Sequence, residues 1–346
     1  MAGKRAVVAE RISAQGLSGA PLRGVAAVPE RLLAVQGQDP RGARLAVRAR
    51  TSGLSAADVD RAFTEERSIL ITWLNRGTLH LVRSEDYPLL QALTTPPLFT
   101  SCARRLRQEG VSEVGAERAL KVVARALAEE GPLSGAALRE RIARADVETA
   151  GQAFIHLTFL AAIRGLLVRG PMQGKQHAYA LVEDWLGPVP APDRDAALAE
   201  LARRYLIGHG PADERDLARW AGLPLRDARA GLEAIAPSLL QREDGLVDLA
   251  ASERSTELPP PRLLGAYEPL LLGWTSREEI VGPHKLLVTN NGLFRPFALV
   301  GGRAVSTWRY SGGRVTIEHL GEVTKKAAAA LEADARAVEE FLTPAG

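Results

Sequence analysis

Apolar residues recur at helical spacing over most of the chain, and short apolar runs rich in β-branched and aromatic residues follow groups of such segments. The first group predicts helices over 28–35, 40–49 and 55–64. Ser55 is expected to cap the third helix, because a serine oxygen accepts a hydrogen bond from a free backbone N–H at a helix start. Strands are predicted over 68–73 and 78–82, joined through the turn residues Asn75, Arg76 and Gly77.

The order of helices followed by a hairpin occurs twice more. The second group has helices over 113–129, 134–143 and 152–164 and strands over 166–169 and 177–182; the third has helices over 194–207, 213–221 and 225–235 and strands over 239–242 and 246–249. Helices followed by a β-hairpin have the layout of a winged helix. The sequence therefore predicts three winged-helix domains, over 1–110, 111–187 and 193–252.

The pattern changes after the linker of three prolines at 259–261. Strands are predicted over 285–289, 295–300, 304–310 and 314–319, followed by an amphipathic helix over 325–342. This segment, 262–346, is predicted as a small antiparallel β sheet or barrel that ends in a helix. The expected fold class is mainly α with β-hairpins (α+β), with tandem winged-helix domains ahead of the β-rich domain.

Composition narrows the class of protein. Of 346 residues, 46% are hydrophobic and 25% charged, which is typical of a globular chain rather than a disordered one. The most hydrophobic stretch without a charge, between Glu148 and Arg164, has 15 residues, short of the roughly 20 that a membrane span needs. We see no secretory signal pattern at the N-terminus, so we expect a cytoplasmic protein without membrane contact.

Several kinds of chemistry lack support in the sequence. One cysteine, Cys102, excludes intramolecular disulfides and multi-cysteine metal sites, and the six histidines do not have metal-ligand spacing. Phosphate-loop, dinucleotide-binding and serine-hydrolase motifs are absent. We therefore expect neither a metal nor a cofactor.

Charge is unevenly distributed along the chain. The formal net charge is +3, yet residues 1–50 contain nine basic groups against three acidic ones. Arginine outnumbers lysine throughout, and its planar guanidinium suits phosphate contacts, although a GC-rich genome also produces arginine-rich proteins. Winged helices on a basic chain favour nucleic acid as the partner, whereas some winged helices bind proteins instead.

One short segment in the basic region has candidate chemistry. Gln36 and Gln38 flank Gly37 where a helix is predicted to end, and Asp39 and Pro40 follow. A glycine there permits close approach of a ligand to the backbone. The alternative is that both glutamines cap helix ends and face solvent, and that Asp39 is the N-cap of the next helix.

Four blocks of this sequence resemble the AlkZ-like (YcaQ-related) winged-helix DNA glycosylases. They are LLAVQGQDPRGARLAVRARTSGL, ITWLNRGTLHLVRSEDYPLL, LARWAGLPLRDARAGLE and GLFRPFALVGGRAVSTWR, and the resemblance extends from about residue 10 to about residue 320. It implies tandem winged helices around a DNA channel and hydrolysis of the N-glycosidic bond of N7-alkylated purines, including interstrand crosslinks. The family's catalytic motif is QxQ or QxD, so Gln36 and Gln38 imply the QxQ branch, which is typified by self-resistance to genotoxic alkylating natural products.

The chemistry of that reaction is compatible with two amides. An N7-alkylated purine is already cationic, so it departs as a neutral base without a general acid, and water attacks the sugar cation that remains. Our hypothesis is that Gln36 and Gln38 hold this water, since an amide both accepts and donates hydrogen bonds. Asp39 is a supporting candidate that would stabilise the positive charge. The expected partner is double-stranded DNA carrying alkylated purines, bound by a monomer without lyase activity.

The remaining candidates are polar residues on predicted helices and hairpins that could contact DNA, and they are Arg41, Arg44, Arg48, Arg76, Gln173, Lys175 and His177. The three arginines of the 40–49 helix could equally form a solvated face, and Lys175 could lie in an ordinary turn. Arg76 and His80 could touch DNA or brace the catalytic loop, and bracing is favoured for His80. A non-enzymatic winged-helix regulator, or an inactive relative that clamps DNA, remains the competing function.

Overall fold

The computed structural model describes residues 2–174, 176–284, 286–289 and 291–343. The chain divides into two compact units. The larger unit combines the residues up to Val59 with those from Asp195 onward, and the smaller unit contains Asp60–Arg194. The division into four domains stays a prediction. No helix in the described part of the chain is both long enough and apolar enough to cross a membrane.

The regular elements of the N-terminal segment are helices, apart from one short strand. Its elements are α1 (Ala2–Ala14), α2 (Ala27–Leu32), β1 (Val35–Gln36), α3 (Pro40–Arg48) and α4 (Ala56–Thr64). The predicted cap of α4 is confirmed: the Asp58 backbone N–H donates to Ser55 Oγ at 3.4 Å, and Asp58 Oδ2 accepts from the Ser55 N–H at 2.7 Å. This reciprocal pair satisfies two backbone donors at the helix start. The predicted helix over 28–35 is wrong beyond Leu32, because the chain turns at Leu33 into β1.

The smaller unit contains a sheet with helices packed on it. Its elements are β2 (Ile69–Leu74), β3 (Thr78–Arg83), α5 (Tyr87–Thr94), α6 (Phe99–Gln108), α7 (Glu113–Glu130), α8 (Gly135–Ala143), α9 (Ala153–Ile163), β4 (Leu167–Gln173), β5 (Gln176–Leu181) and α10 (Val182–Leu186). The predicted hairpins both form, and antiparallel pairing of Ile71 with Arg169 joins them in the order β3-β2-β4-β5. All six residues of β2 are buried, because this strand lies inside the sheet and packs against α9.

After Asp195 the chain returns to the larger unit. Its elements are α11 (Arg194–His209), α12 (Glu214–Ala221), α13 (Leu225–Ala234), β6 (Leu239–Gln241), β7 (Val247–Leu249), β8 (Arg262–Leu264), α14 (Glu278–Val281), β9 (Phe297–Val300), β10 (Arg303–Ser311), β11 (Arg314–His319) and α15 (Lys325–Leu342). The third predicted hairpin forms as β6 and β7. The last four strands make an antiparallel sheet in the order β11-β10-β9-β8, and α15 packs against β8 and β11.

One predicted strand of the C-terminal sheet is wrong. Residues 286–289 do not form a strand, and Lys285 lies outside the described residues. Val288 makes only an isolated bridge to Phe294, because hydrogen bonds from Leu293 and Gly292 to Thr289 close a tight turn there. The fourth strand is instead β8, which the sequence analysis missed because it is three residues long and directly follows the prolines. The Trp308 indole N–H donates to the Leu264 carbonyl of β8 at 2.9 Å, which ties this strand to the core.

Candidate active site

The glutamine pair lies in the larger unit, in the link between α2 and α3. Leu33 has φ 62° and ψ −40°, and the Ala34 N–H donates to the Leu32 carbonyl across it at 2.7 Å. This is a three-residue turn with a positive central φ, a rare and strained conformation for a branched residue. Leu33 is fully buried, so packing of its side chain holds the turn that directs the chain from α2 into β1.

The two glutamines have different surroundings. Gln36 ends β1 and is 7% exposed, whereas Gln38 lies beyond the strand and is exposed. The alternative in which both glutamines face solvent as helix caps is therefore wrong for Gln36. Asp39 is the N-cap of α3, as expected, since its Oδ1 accepts from the Arg41 N–H at 3.2 Å. A buried amide and an exposed amide thus precede a capped helix start.

The start of α3 touches a distant part of the chain. A Cβ atom placed on Gly42 would lie 2.3 Å from the Ala266 carbonyl oxygen, and one placed on Gly265 would lie 3.0 Å from Gly42 Cα. Only a glycine at position 42 permits this approach of backbone to backbone. The contact brings residues 265–267 against the first turn of α3, beside Asp39.

Tyr267, next to the segment that packs on α3, was not among the residues predicted from the sequence. It is half-buried and has φ 55°, and its ring lies 5.8 Å from that of Phe294. Burial first, and then the negative charge of Asp39, raise the pKa of the Tyr267 phenol above its ordinary value. No local pattern could have indicated this residue, because its neighbour Ala266 meets α3 through a contact between segments more than two hundred positions apart.

A buried ion pair fixes the residue after Tyr267. Arg50 and Glu268 are each 1% exposed, and Arg50 Nη2 lies 2.5 Å from Glu268 Oε1. Arg50 also donates to the backbone carbonyl of Gln15 at 2.7 Å and to its side-chain oxygen at 3.0 Å. Removal of one partner would leave a buried charge uncompensated, so this pair holds the 265–268 segment in place.

The three arginines of α3 have unequal access to solvent. Arg41 is exposed, with its guanidinium 5.0 Å from the Tyr310 ring centre and a hydrogen bond of 3.3 Å to the Tyr310 carbonyl. Arg44 is 8% exposed and donates to the Pro40 carbonyl at 2.9 Å. Arg48 forms a two-pronged ion pair with Asp334 of α15, at 2.6 and 2.9 Å. The arrangement presents Arg41 to solvent and engages Arg48 in a partly buried ion pair.

Arg76 and His80 lie on the first hairpin of the smaller unit. Arg76 occupies the β2–β3 turn with φ 58° and is half-buried. His80 is 3% exposed, and its Nδ1 lies 2.9 Å from the Thr78 carbonyl. Burial, and then the charge of Arg76, lower the pKa of His80 to about 3, so the ring is neutral at neutral pH. A side chain buried to this degree has little surface to offer to DNA.

The second hairpin of that unit contains the other predicted DNA contacts. Gln173 is exposed and donates to the Pro132 carbonyl at 3.0 Å. His177 Nδ1 lies 3.1 Å from the Gly170 carbonyl, and its ring meets Phe63 edge-on at 4.5 Å. Lys175 lies outside the described residues. Within the described chain, no three His, Cys, Asp or Glu side chains group as metal ligands.

Three comparisons with known proteins indicate the same family. A family model described as DNA glycosylase AlkZ-like matches residues 30–341. An interstrand DNA cross-link repair glycosylase of Streptomyces sahachiroi is 27% identical over 340 residues, which cover 88% of this chain and 87% of the relative. The solved structure of the Streptomyces sahachiroi DNA glycosylase AlkZ matches with a TM-score of 0.78 at 23% identity, over 98% of this chain and 96% of that one. Since the family model spans most of the chain, the protein belongs to the AlkZ-like DNA glycosylase family.

Proposed function

We propose that this protein hydrolyses the N-glycosidic bond of N7-alkylated purines in double-stranded DNA, including purines joined in interstrand crosslinks. The family and the relative named for cross-link repair support the glycosylase activity. The observation that carries the proposal is the placement of Gln36, buried at the end of β1, two residues from the exposed Gln38 and directly ahead of the capped helix α3.

Water positioning is the task we assign to the two amides. The cationic purine leaves as a neutral base, so the remaining requirement is a water molecule held on the free face of the sugar cation. An amide is too weak a base to take the proton in advance, but its carbonyl accepts from water while its N–H₂ group donates. Gln36, fixed by burial, orients Gln38 and the water, which lowers the entropic cost of attack. Asp39 contributes negative charge beside the sugar.

DNA binding in this proposal is shared among exposed polar groups. Arg41 contacts a phosphate, and Arg76, Gln173, Lys175 and His177 are the proposed contacts of the hairpins, in tandem winged helices. Arg44 and Arg48 support α3 from inside the protein. The enzyme works as a monofunctional monomer, without a cofactor, in the cytoplasm, in repair of or self-resistance to alkylating agents.

The test measures base release and DNA binding together. We expect the wild type to release 7-methylguanine from methylated duplex DNA, and the Gln36→Ala/Gln38→Ala double variant to be at least about 100-fold slower, in the range that loss of a positioned catalytic group produces. Duplex affinity should change little, since the amides act on the water rather than on phosphates. The matched control is Gln241→Ala, an exposed glutamine of β6, which should retain the wild-type rate.

Two results would contradict the proposal. Release by the double variant at the wild-type rate would remove the glutamines from the mechanism. A wild type that binds duplex DNA but frees no base from either methylated or crosslinked substrates would instead support the regulator or the DNA clamp.

A further inference from the structure

Tyr267 has a backbone conformation that a bulky residue rarely adopts. At φ 55° its Cβ crowds its own backbone, a strain that persists only where neighbouring contacts impose the conformation. Those contacts are present on both sides. Ala266 packs its carbonyl against Gly42 of α3, and Glu268 is buried in the ion pair with Arg50. The fold therefore holds the tyrosine in a strained position that a glycine would occupy without cost.

The Tyr267 ring has an organised aromatic setting. It meets Phe294 at 5.8 Å with an interplanar angle of 41°, and the Tyr267 N–H donates to the Phe294 carbonyl at 3.3 Å. The guanidinium of Arg277 lies 5.0 Å from the Phe294 ring centre. Both rings are half-buried, so each retains surface that is open to a ligand. Two separate chain segments thus present a braced aromatic pair, and the residue before Tyr267 packs against Gly42 in the first turn of α3, which follows the loop of Gln36, Gln38 and Asp39.

The chemistry of these side chains suits a planar, positively charged ligand. An aromatic face attracts positive charge through its quadrupole, and the carboxylate of Asp39 adds to that attraction. Burial and Asp39 raise the pKa of the phenol, so the side chain stays neutral and contributes its ring rather than a charge. An N7-alkylated purine has both properties, a planar aromatic surface and a positive charge, whereas an unmodified purine has only the first.

We propose that the ring of Tyr267, braced by Phe294, contacts the alkylated purine during base release and makes the site selective for cationic over neutral purines. This inference rests on the proposed glycosylase function and adds a substrate contact to it. Loss of the ring should slow base release more than it weakens binding of unmodified DNA, because only the damaged base has the positive charge.

The experiment compares two replacements of similar size. Tyr267→Phe retains the aromatic face, and Tyr267→Leu removes it while keeping apolar bulk. In single-turnover release of 7-methylguanine we expect Tyr267→Phe to stay within about 3-fold of wild type and Tyr267→Leu to be about 10- to 30-fold slower, the effect of a desolvated cation–π contact. Affinity for unmodified duplex should stay within about 3-fold for both. Phe294→Leu, which removes the brace, should give a smaller loss.

The control is Phe99→Leu, an aromatic residue of α6 that is 36% exposed in the smaller unit. Thermal melting identifies any variant that fails to fold. If Tyr267→Leu fails to fold, the release rate of Phe294→Leu is measured in its place. If Tyr267→Leu releases base at the wild-type rate, this inference is overturned while the proposed function stands. The same holds if Tyr267→Phe slows base release as much as Tyr267→Leu does, because the effect would then belong to the hydroxyl. A wild type without any base release would instead remove the proposed function, and this inference with it.

Discussion

Single residues at the candidate site combine exposure with unusually close packing. Gln38 is exposed and Asp39 is half-buried, while Gly42, one helical turn further on, touches the backbone of Ala266. The glycine costs helix stability within α3, since it lacks the propensity of alanine. A side chain at this position would separate α3 from the segment that presents Tyr267.

We predict that Gly42→Ala destabilises the protein although alanine is the better helix former. The new Cβ would lie 2.3 Å from a backbone oxygen, so the 265–267 segment must move, at a cost of about 1–3 kcal/mol. Denaturant unfolding measures this cost, and base release should fall with it because the segment carries Tyr267. The matched control is Gly321→Ala, where nothing lies within 4 Å of the new atom. Equal stability of the two variants would show that the contact yields without strain.

At the scale of elements, α3 performs different tasks at its two ends. Its first turn presents Arg41 to solvent over Tyr310, and its last turn is held to α15 by the Arg48–Asp334 pair. Asp334 Oδ2 also accepts from the Leu263 N–H of β8 at 2.7 Å. The helix is therefore held to α15 at its C-terminal end, and at its N-terminal end it packs on Ala266 through Gly42 while Arg41 faces solvent.

Substitutions at the two ends of α3 should have separable effects. We expect Arg41→Ala to weaken duplex binding and to reduce the salt dependence of binding by about one phosphate contact, with little change in stability. Arg48→Ala should instead lower the free energy of unfolding by about 1–3 kcal/mol, because Asp334 loses a charged partner in a partly buried site. Titration of labelled duplex at several salt concentrations, together with urea unfolding, distinguishes the two. The assignment fails if Arg48→Ala reduces the salt slope and Arg41→Ala does not.

Some elements were predicted from the local sequence pattern and others were not. The hairpins at 69–83 and 239–249 are predicted almost to the residue, since β-branched residues and turn residues act over a few positions. The strand predicted at 285–289 is not formed by residues 286–289, because apolar composition alone does not supply a pairing partner. Helices α5 and α6 have no counterpart in the predictions, and β8 is too short to give a pattern.

At the scale of the whole molecule, each compact unit contains a neutral buried histidine. His80 lies in the smaller unit and His209 in the larger, and burial is the first cause that lowers the pKa of each to about 3. An unfolded histidine titrates near 6.5. Below that pH the unfolded chain takes up protons that the folded chain does not, so this contribution to stability is complete above about pH 6.5 and is lost as the pH falls toward 3.

We therefore expect the free energy of unfolding to decrease on acidification. Replacement of either histidine should make this decrease smaller. Between pH 7.5 and 5.0 each ring should account for about 2 kcal/mol of lost unfolding free energy. Urea unfolding of the wild type, His80→Gln and His209→Gln at both pH values measures it, and His319→Gln, at an exposed position, is the control. Variants as sensitive to pH as the wild type would show that the two rings are protonated in the folded state.

The sequence by itself determined what depends on neighbours along the chain. The three hairpins, the helices that precede each of them, the cap at Asp39 and the family resemblance follow from local pattern and motif order. Only the tertiary structure decided that Gln36 is buried and Gln38 exposed, that Arg48 is engaged by Asp334, and that the segment before Tyr267 packs on Gly42 of α3. The physical reason is that burial and charge pairing are set by segments far apart in the chain, whose approach no short-range periodicity encodes.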